Sequence, residues 1–166
     1  MSTTRHTRWA VAVGALATIL LPAASAQATT GCRQVSGDYV EHPVTGPDCA
    51  SPVGLCITAA YRGDIRGEAK AHATSITPTA DTPTTSVQAF TSDSTITAKM
   101  AGRSGTLLIK NAGAFSSTGD GPIVDLQTIV GGTGHLTGAT GALRAQGTFT
   151  FPDGGRSRYT GTVCLP

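Results

Sequence analysis

The chain has 166 residues, 12 of them Lys or Arg and 10 Asp or Glu, with 39% hydrophobic residues and 5% aromatics. Charges of both signs are scattered singly, so the basic stripe that drives attraction to nucleic acid or an anionic membrane is missing, and neither partner is expected. This length suits one domain and is too short for two.

Residues 1–28 read as a secretory signal peptide. Arg5, His6 and Arg8 precede an apolar run of twelve residues, 10–21, followed by Pro22 and the small-residue triplets Ala24-Ser25-Ala26 and Ala26-Gln27-Ala28. That is the order of charged, apolar and cleavage regions in an export signal, and the run falls short of the roughly 20 apolar residues that span a membrane. Cleavage is expected after Ala26 or Ala28, leaving a secreted chain with no membrane association. Losing Arg5 and Arg8 brings the 12 basic residues to ten, against ten acidic ones.

Residues 29–54 carry Gly37, Pro43, Gly46, Pro47, Pro52 and Gly54. This density of breakers predicts a loop-rich lead-in with at most a short strand over 35–40. From residue 55 to 166 strand signals recur at 55–62, 66–77, 85–100, 105–115, 122–130, 142–151 and 156–165. They are divided by turn chemistry at Gly63-Asp64, 78–83, 101–105, 116–121, 131–141 and 152–155. No stretch repeats apolar residues at helical spacing, so an all-β domain is predicted.

Alternation sorts the faces, because successive strand side chains point to opposite sides. Leu143, Ala145, Gly147, Phe149 and Phe151 share one face, as do Ile96, Ala98 and Met100. A sheet with one apolar face must cover it, and a meander without helices does so by closing into an antiparallel barrel. Closure needs an even number of strands, about eight. The eighth comes either from 35–40 or from a break within 85–100 near 91–94. Ala69, Ala71, Ala73 and Ser75 form a run of small residues on one face. If that face is inward, the barrel has room for a small apolar ligand, with Phe149 among the lining side chains; the alternative is that large neighbours fill the gap.

Four cysteines, Cys32, Cys49, Cys56 and Cys164, lie in the exported part and are expected to form two disulfides. Their separations lack the short paired spacing of zinc sites, so no metal is expected. Pairing the first strong strand with the last favours Cys56 with Cys164 and Cys32 with Cys49. The arrangement Cys32 with Cys164 and Cys49 with Cys56 stays open.

The segment 131–141 reads Gly-Gly-Thr-Gly-His-Leu-Thr-Gly-Ala-Thr-Gly. Five glycines predict a sharp double bend at a barrel rim that buries Leu136. The segment resembles the Gly-Gly-x-Gly-x-Phe-x-Gly-Ala-x-Gly signature of the allene oxide cyclase and dirigent barrel superfamily, with Leu136 where an aromatic is usual. The ending 159–166 is similar to small exported bacterial members of that superfamily. This resemblance implies a closed barrel with a ligand-accepting lumen, since the named relatives cyclise an unstable epoxide or steer radical coupling inside theirs. It carries no catalytic residue over to this chain.

Motifs for other chemistries are missing. Gly102-Arg103-Ser104-Gly105 has the wrong spacing for a nucleophile elbow, and Gly132-Thr133-Gly134 precedes no helix that would face a phosphate. No cofactor motif is present, and nothing specifies an oligomeric state. His72 lies on the strand face of Glu68 and Lys70 and reads as solvated. Three residues remain as catalytic candidates. His135 sits in the glycine bend, where rim loops carry function, although an exposed turn histidine is the plainer assignment. Asp125, with Gln127, interrupts the apolar strand 123–130; the simplest parity sends both outward and Val124, Leu126 and Val130 inward. In the reversed parity Asp125 becomes an inward carboxylate fit for general acid or base work. Tyr159 either donates to a ligand or is core with its hydroxyl satisfied locally.

Three functions fit this pattern: a secreted barrel that binds or confines a small apolar molecule, an isomerase or cyclase that acts by confinement, and a structural or protein-interaction module of the cell exterior. Lumen volume and lining discriminate among them.

Overall fold

The computed structural model describes residues 31–166; the expected signal peptide lies outside the described residues. Eight strands follow in order: β1 (Gly31–Val44), β2 (Cys56–Gly63), β3 (Arg66–Thr82), β4 (Thr85–Met100), β5 (Arg103–Ser116), β6 (Pro122–Gly134), β7 (Thr140–Thr150) and β8 (Gly154–Leu165). Each pairs antiparallel with the next and β8 pairs with β1, so the meander closes into a barrel. The alternating faces predicted for the strands need such a closure, which buries one face of each strand and leaves no free edge.

The first part of the expected lead-in loop is barrel, while 45–54 remain loop. β1 spans Gly31–Val44, pairing with β2 from Gly37↔Gly63 to Val44↔Cys56 and with β8 from Gly31↔Leu165 to Glu41↔Gly155. This is the eighth strand, and β4 runs unbroken from Thr85 to Met100. Two breakers misled the reading. Gly37 is a glycine because a Cβ there would fall 2.4 Å from the Tyr159 hydroxyl and 2.0 Å from the Arg62 carbonyl oxygen. Pro43 lies beyond the last β8 partner of the strand, where a residue without an N–H is tolerated.

Other boundaries also shift. Strand β6 continues through Gly131–Gly134, pairing Gly131 with Leu108 and Gly134 with Gly105, so the bend shrinks to 135–139. Gly134 (φ +61°) and Gly138 (φ +79°) adopt the left-handed backbone that the turn requires. Pro78 does not open a turn; it sits at a register shift in β3, whose hairpin with β4 extends to Thr82↔Thr85. Phe151, assigned to the inner face, lies just past β7 and is 64% exposed.

The two ends of the barrel differ. At one, the turns at 64–65, 101–102 and 135–139 meet the Gly31 and Leu165 strand ends. Ile65, Leu107, Leu136, Leu143 and Val163 are fully buried there and form the dense part of the core. At the other, the loop 45–55 and the turns at 83–84, 117–121 and 151–153 surround residues that are only half buried, among them Leu55, Phe90 and Phe115. We call these the closed end and the mouth.

The disulfides are Cys32–Cys164 and Cys49–Cys56, which corrects the favoured pairing. First and last strands do pair, but the first is β1: Cys32 and Cys164 are direct cross-strand partners at the closed end. Cys56 begins β2 opposite Val44 near the mouth and ties the 45–55 loop through Cys49.

Candidate functional site

The lumen toward the mouth holds a cavity of about 80 Å³. Its walls are aliphatic: Ile57 and Ala59 on β2, Ala69, Ala71 and Ala73 on β3, and Ile123 on β6. Three small side chains in succession on β3 leave the space that larger ones would occupy. Phe90, Phe115 and Phe149 line it as well, with ring centroids 6.1 Å apart for Phe90–Phe115 and again for Phe115–Phe149. The structure thus places Ala69, Ala71, Ala73 and Phe149 together on one cavity.

The polar part of the lining comes from β1, β2, β4, β5 and β6. Asp125 and Gln127 point inward and are 5% and 1% exposed, while Val124, Leu126 and Val130 face solvent. The simplest parity is therefore wrong for β6. Apolar residues occupy both faces of this strand, so their number does not choose the side. The register does: Asp125 lies opposite Gly113 of β5 and Ala145 of β7, and Gln127 opposite Asn111 and Leu143. Hydrogen-bond partners then make burial of these polar groups tolerable.

Those partners form a network that converges on one oxygen. Asn111 Nδ2 donates to Asp125 Oδ2 at 2.8 Å and Gln127 Nε2 donates to the same atom at 3.0 Å. Behind them, the Ser94 hydroxyl donates to Asn111 Oδ1, and the Tyr61 hydroxyl donates to Gln127 Oε1 at 3.2 Å. Gln127 Nε2 also reaches the Tyr39 hydroxyl at 3.4 Å. The Tyr39 and Tyr61 rings stack with centroids 4.6 Å apart. Asp125 Oδ1 has no partner, and neither has Oε1 of Glu41, a buried β1 residue on the same cavity.

Burial raises the pKa of both acids, because a low-dielectric setting disfavours the charged form. For Glu41 burial and then the nearby Asp125 charge push the value from 4.5 to about 7. Asp125 is raised by burial, against which the hydrogen bonds from Asn111 and Gln127 work. Burial is also the main cause of the upward shifts of Tyr39 and Tyr61. Near neutrality Glu41 both holds and releases a proton, the property wanted in an acid–base group.

Of the other predicted site residues, neither lines this cavity. Tyr159 is core: its hydroxyl accepts from Ile65 N at 3.0 Å and lies 3.1 Å from the Arg62 and 3.2 Å from the Ile65 carbonyl oxygens. Nothing is left over for a ligand. His135 is an exposed turn residue at the closed end, its backbone N donating to Ser104 O at 3.0 Å. His72 is half buried and pairs with Asp93 in register, away from this lumen, beside a wider outer concavity of about 550 Å³ under the 45–55 loop. Among the described residues no group of three or more His, Cys, Asp or Glu is placed to hold a metal ion. Glu41 was missed. The signal was present in the alternation of Val35, Tyr39 and Glu41, but the breakers around it masked the strand.

Comparison with known proteins gives a family without an assigned activity. The family model described as "Protein of unknown function (DUF3224)" matches residues 34–162. No curated protein matches. Among solved structures, that of a pterocarpan synthase dirigent protein is similar, with 14% identity, a TM-score of 0.45 and coverage of 86% of this chain and 89% of that one.

Proposed function

We propose that this chain, which belongs to the DUF3224 family, is a secreted barrel that holds a small, mostly apolar molecule in its lumen. The observation that carries this reading is the cavity itself, about 80 Å³ of space behind an alanine wall, with polar groups gathered on a few positions. Bulk water takes roughly 30 Å³ per molecule, so the space holds a group of a few heavy atoms. Sites for larger ligands measure about 300–1,000 Å³, which restricts the enclosed part of any ligand to a small one, with the remainder extending between the phenylalanines. The two disulfides suit an oxidising compartment, as secretion supplies.

Ligand-observed NMR against a set of small apolar and amphiphilic compounds tests it. Binding that is lost when Ala71→Leu fills the wall is the expected result. No binding by any compound, with the folded wild-type barrel confirmed by its amide spectrum, overturns the reading.

A second reading, an isomerase, is favoured by Glu41. An acid raised to about 7 in the wall of a small cavity, with one oxygen unpaired, is suited to take a proton from one carbon of a bound substrate and return it to another, with no net oxidation. Glu41→Gln is then expected to keep binding and lose turnover; equal turnover in the two proteins removes this reading.

A further inference from the structure

Two acids face a cavity whose lining contains no Lys, Arg or His. Glu41 is 8% exposed and Asp125 5% exposed, and each keeps one carboxyl oxygen without a hydrogen-bond partner, Oε1 and Oδ1. Proteins seldom leave such acceptors bare, because a buried polar atom without a partner costs free energy that a partner restores. The side-chain amides that reach Asp125 both go to Oδ2. The network therefore holds the carboxyl in place and leaves its other oxygen buried and unpaired.

We propose that the lumen takes a small protonated amine, its ammonium group seated between Glu41 and Asp125 and its apolar substituent directed along the alanine wall toward the mouth. This rests on the binding function proposed above and specifies the chemistry of the ligand's polar end. An ammonium brings a positive charge and several N–H donors to a place that has two acids and no cation. An anion meets like charge, and a ligand with acceptors only leaves both oxygens unpaired. The Tyr39 and Tyr61 rings line the same cavity, and aromatic faces favour a nearby cation. The 80 Å³ of space fits an ammonium with a short alkyl chain.

Three probes of equal length separate the alternatives: butylamine, 1-butanol and butyrate, titrated by NMR at about pH 8, where an alkylamine is still protonated and Glu41 is mostly ionised. The amine is expected to bind at least about tenfold more tightly than the alcohol, since charge-assisted hydrogen bonds are the stronger kind, and butyrate is expected not to bind. Glu41→Gln and Asp125→Asn should each remove most of that preference. Both substitutions keep shape and remove a buried charge, and butanol binding reports that the cavity is intact. Equal affinity for amine and alcohol, or a preference that survives both substitutions, overturns the amine proposal and leaves the binding function standing. Failure of all three probes also overturns the amine proposal, and the wider compound set then decides the binding function.

Discussion

Glu41 couples the cavity to the stability of the barrel. Its pKa rises from 4.5 to about 7 on folding, so between those values the folded protein binds more protons than the unfolded chain, and stability falls as pH rises. The contribution is fully present below the unfolded value and lost as pH passes through about 7. A shift of this size corresponds to roughly 3 kcal/mol. Glu41→Gln keeps the shape and cannot ionise, so it is expected to unfold at higher denaturant concentration than wild type at pH 8 and to flatten the pH dependence between pH 5 and 8. Urea titrations at both pH values check this; a variant no more stable than wild type at pH 8 means that the carboxylate is solvated in the folded state. Asp125 shows what single-residue pattern reading lacks. Its strand carries apolar residues on both faces, and only the cross-strand neighbours Gly113 and Ala145 and the donors Asn111 and Gln127 decide its side. Gly113, Ala145 and Asn111 lie on other strands, so parity alone had no access to them.

Among the elements, the seven strands with clean alternation and glycine or proline turns were legible, since period-two patterning and turn chemistry are local. What was not legible came from glycines used for close approach. Gly37 looks like a breaker until the Tyr159 hydroxyl is seen where its Cβ would lie, and the glycines at 131–134 look like a bend although they pair in register with 105–108. In the 135–139 turn, Leu136 N donates to Thr133 O at 3.1 Å and Ala139 N to Leu136 O at 3.0 Å, folding the fully buried Leu136 side chain inward. Leu136 belongs to the same core cluster as Leu107, Leu143 and Val163. It acts as a plug in the closed end. Leu136→Ala should cost about 2–5 kcal/mol, the range for removing a fully buried leucine, measured by denaturant unfolding. A loss under about 1 kcal/mol would show that the closed end repacks without it.

For the whole molecule, closure rests on the β1–β8 seam, the pairing that joins the two ends of the described chain. Every other strand pair is a sequence-adjacent hairpin, formed at the loop-closure cost of a short connection. The seam must close nearly the entire domain, which is the expensive contact in entropy. Cys32–Cys164 lies on this seam, with a sequence separation of 132. In the chain-entropy model a bridge over that span stabilises by about 5 kcal/mol, on the scale of a small domain's net stability. Cys49–Cys56, with a separation of 7, is worth about 2–3 kcal/mol in the same model and fastens only the 45–55 loop beside the mouth. Replacing Cys32 and Cys164 by Ser should therefore lower the unfolding midpoint well below that of the Cys49, Cys56 double variant, and reduction of the wild-type protein, which opens both bridges, should cost at least the larger loss. Thermal unfolding of the two double variants, with and without reductant, checks the order. Should the Cys49, Cys56 variant prove the less stable of the two, the mouth loop and not the seam sets the stability of the barrel.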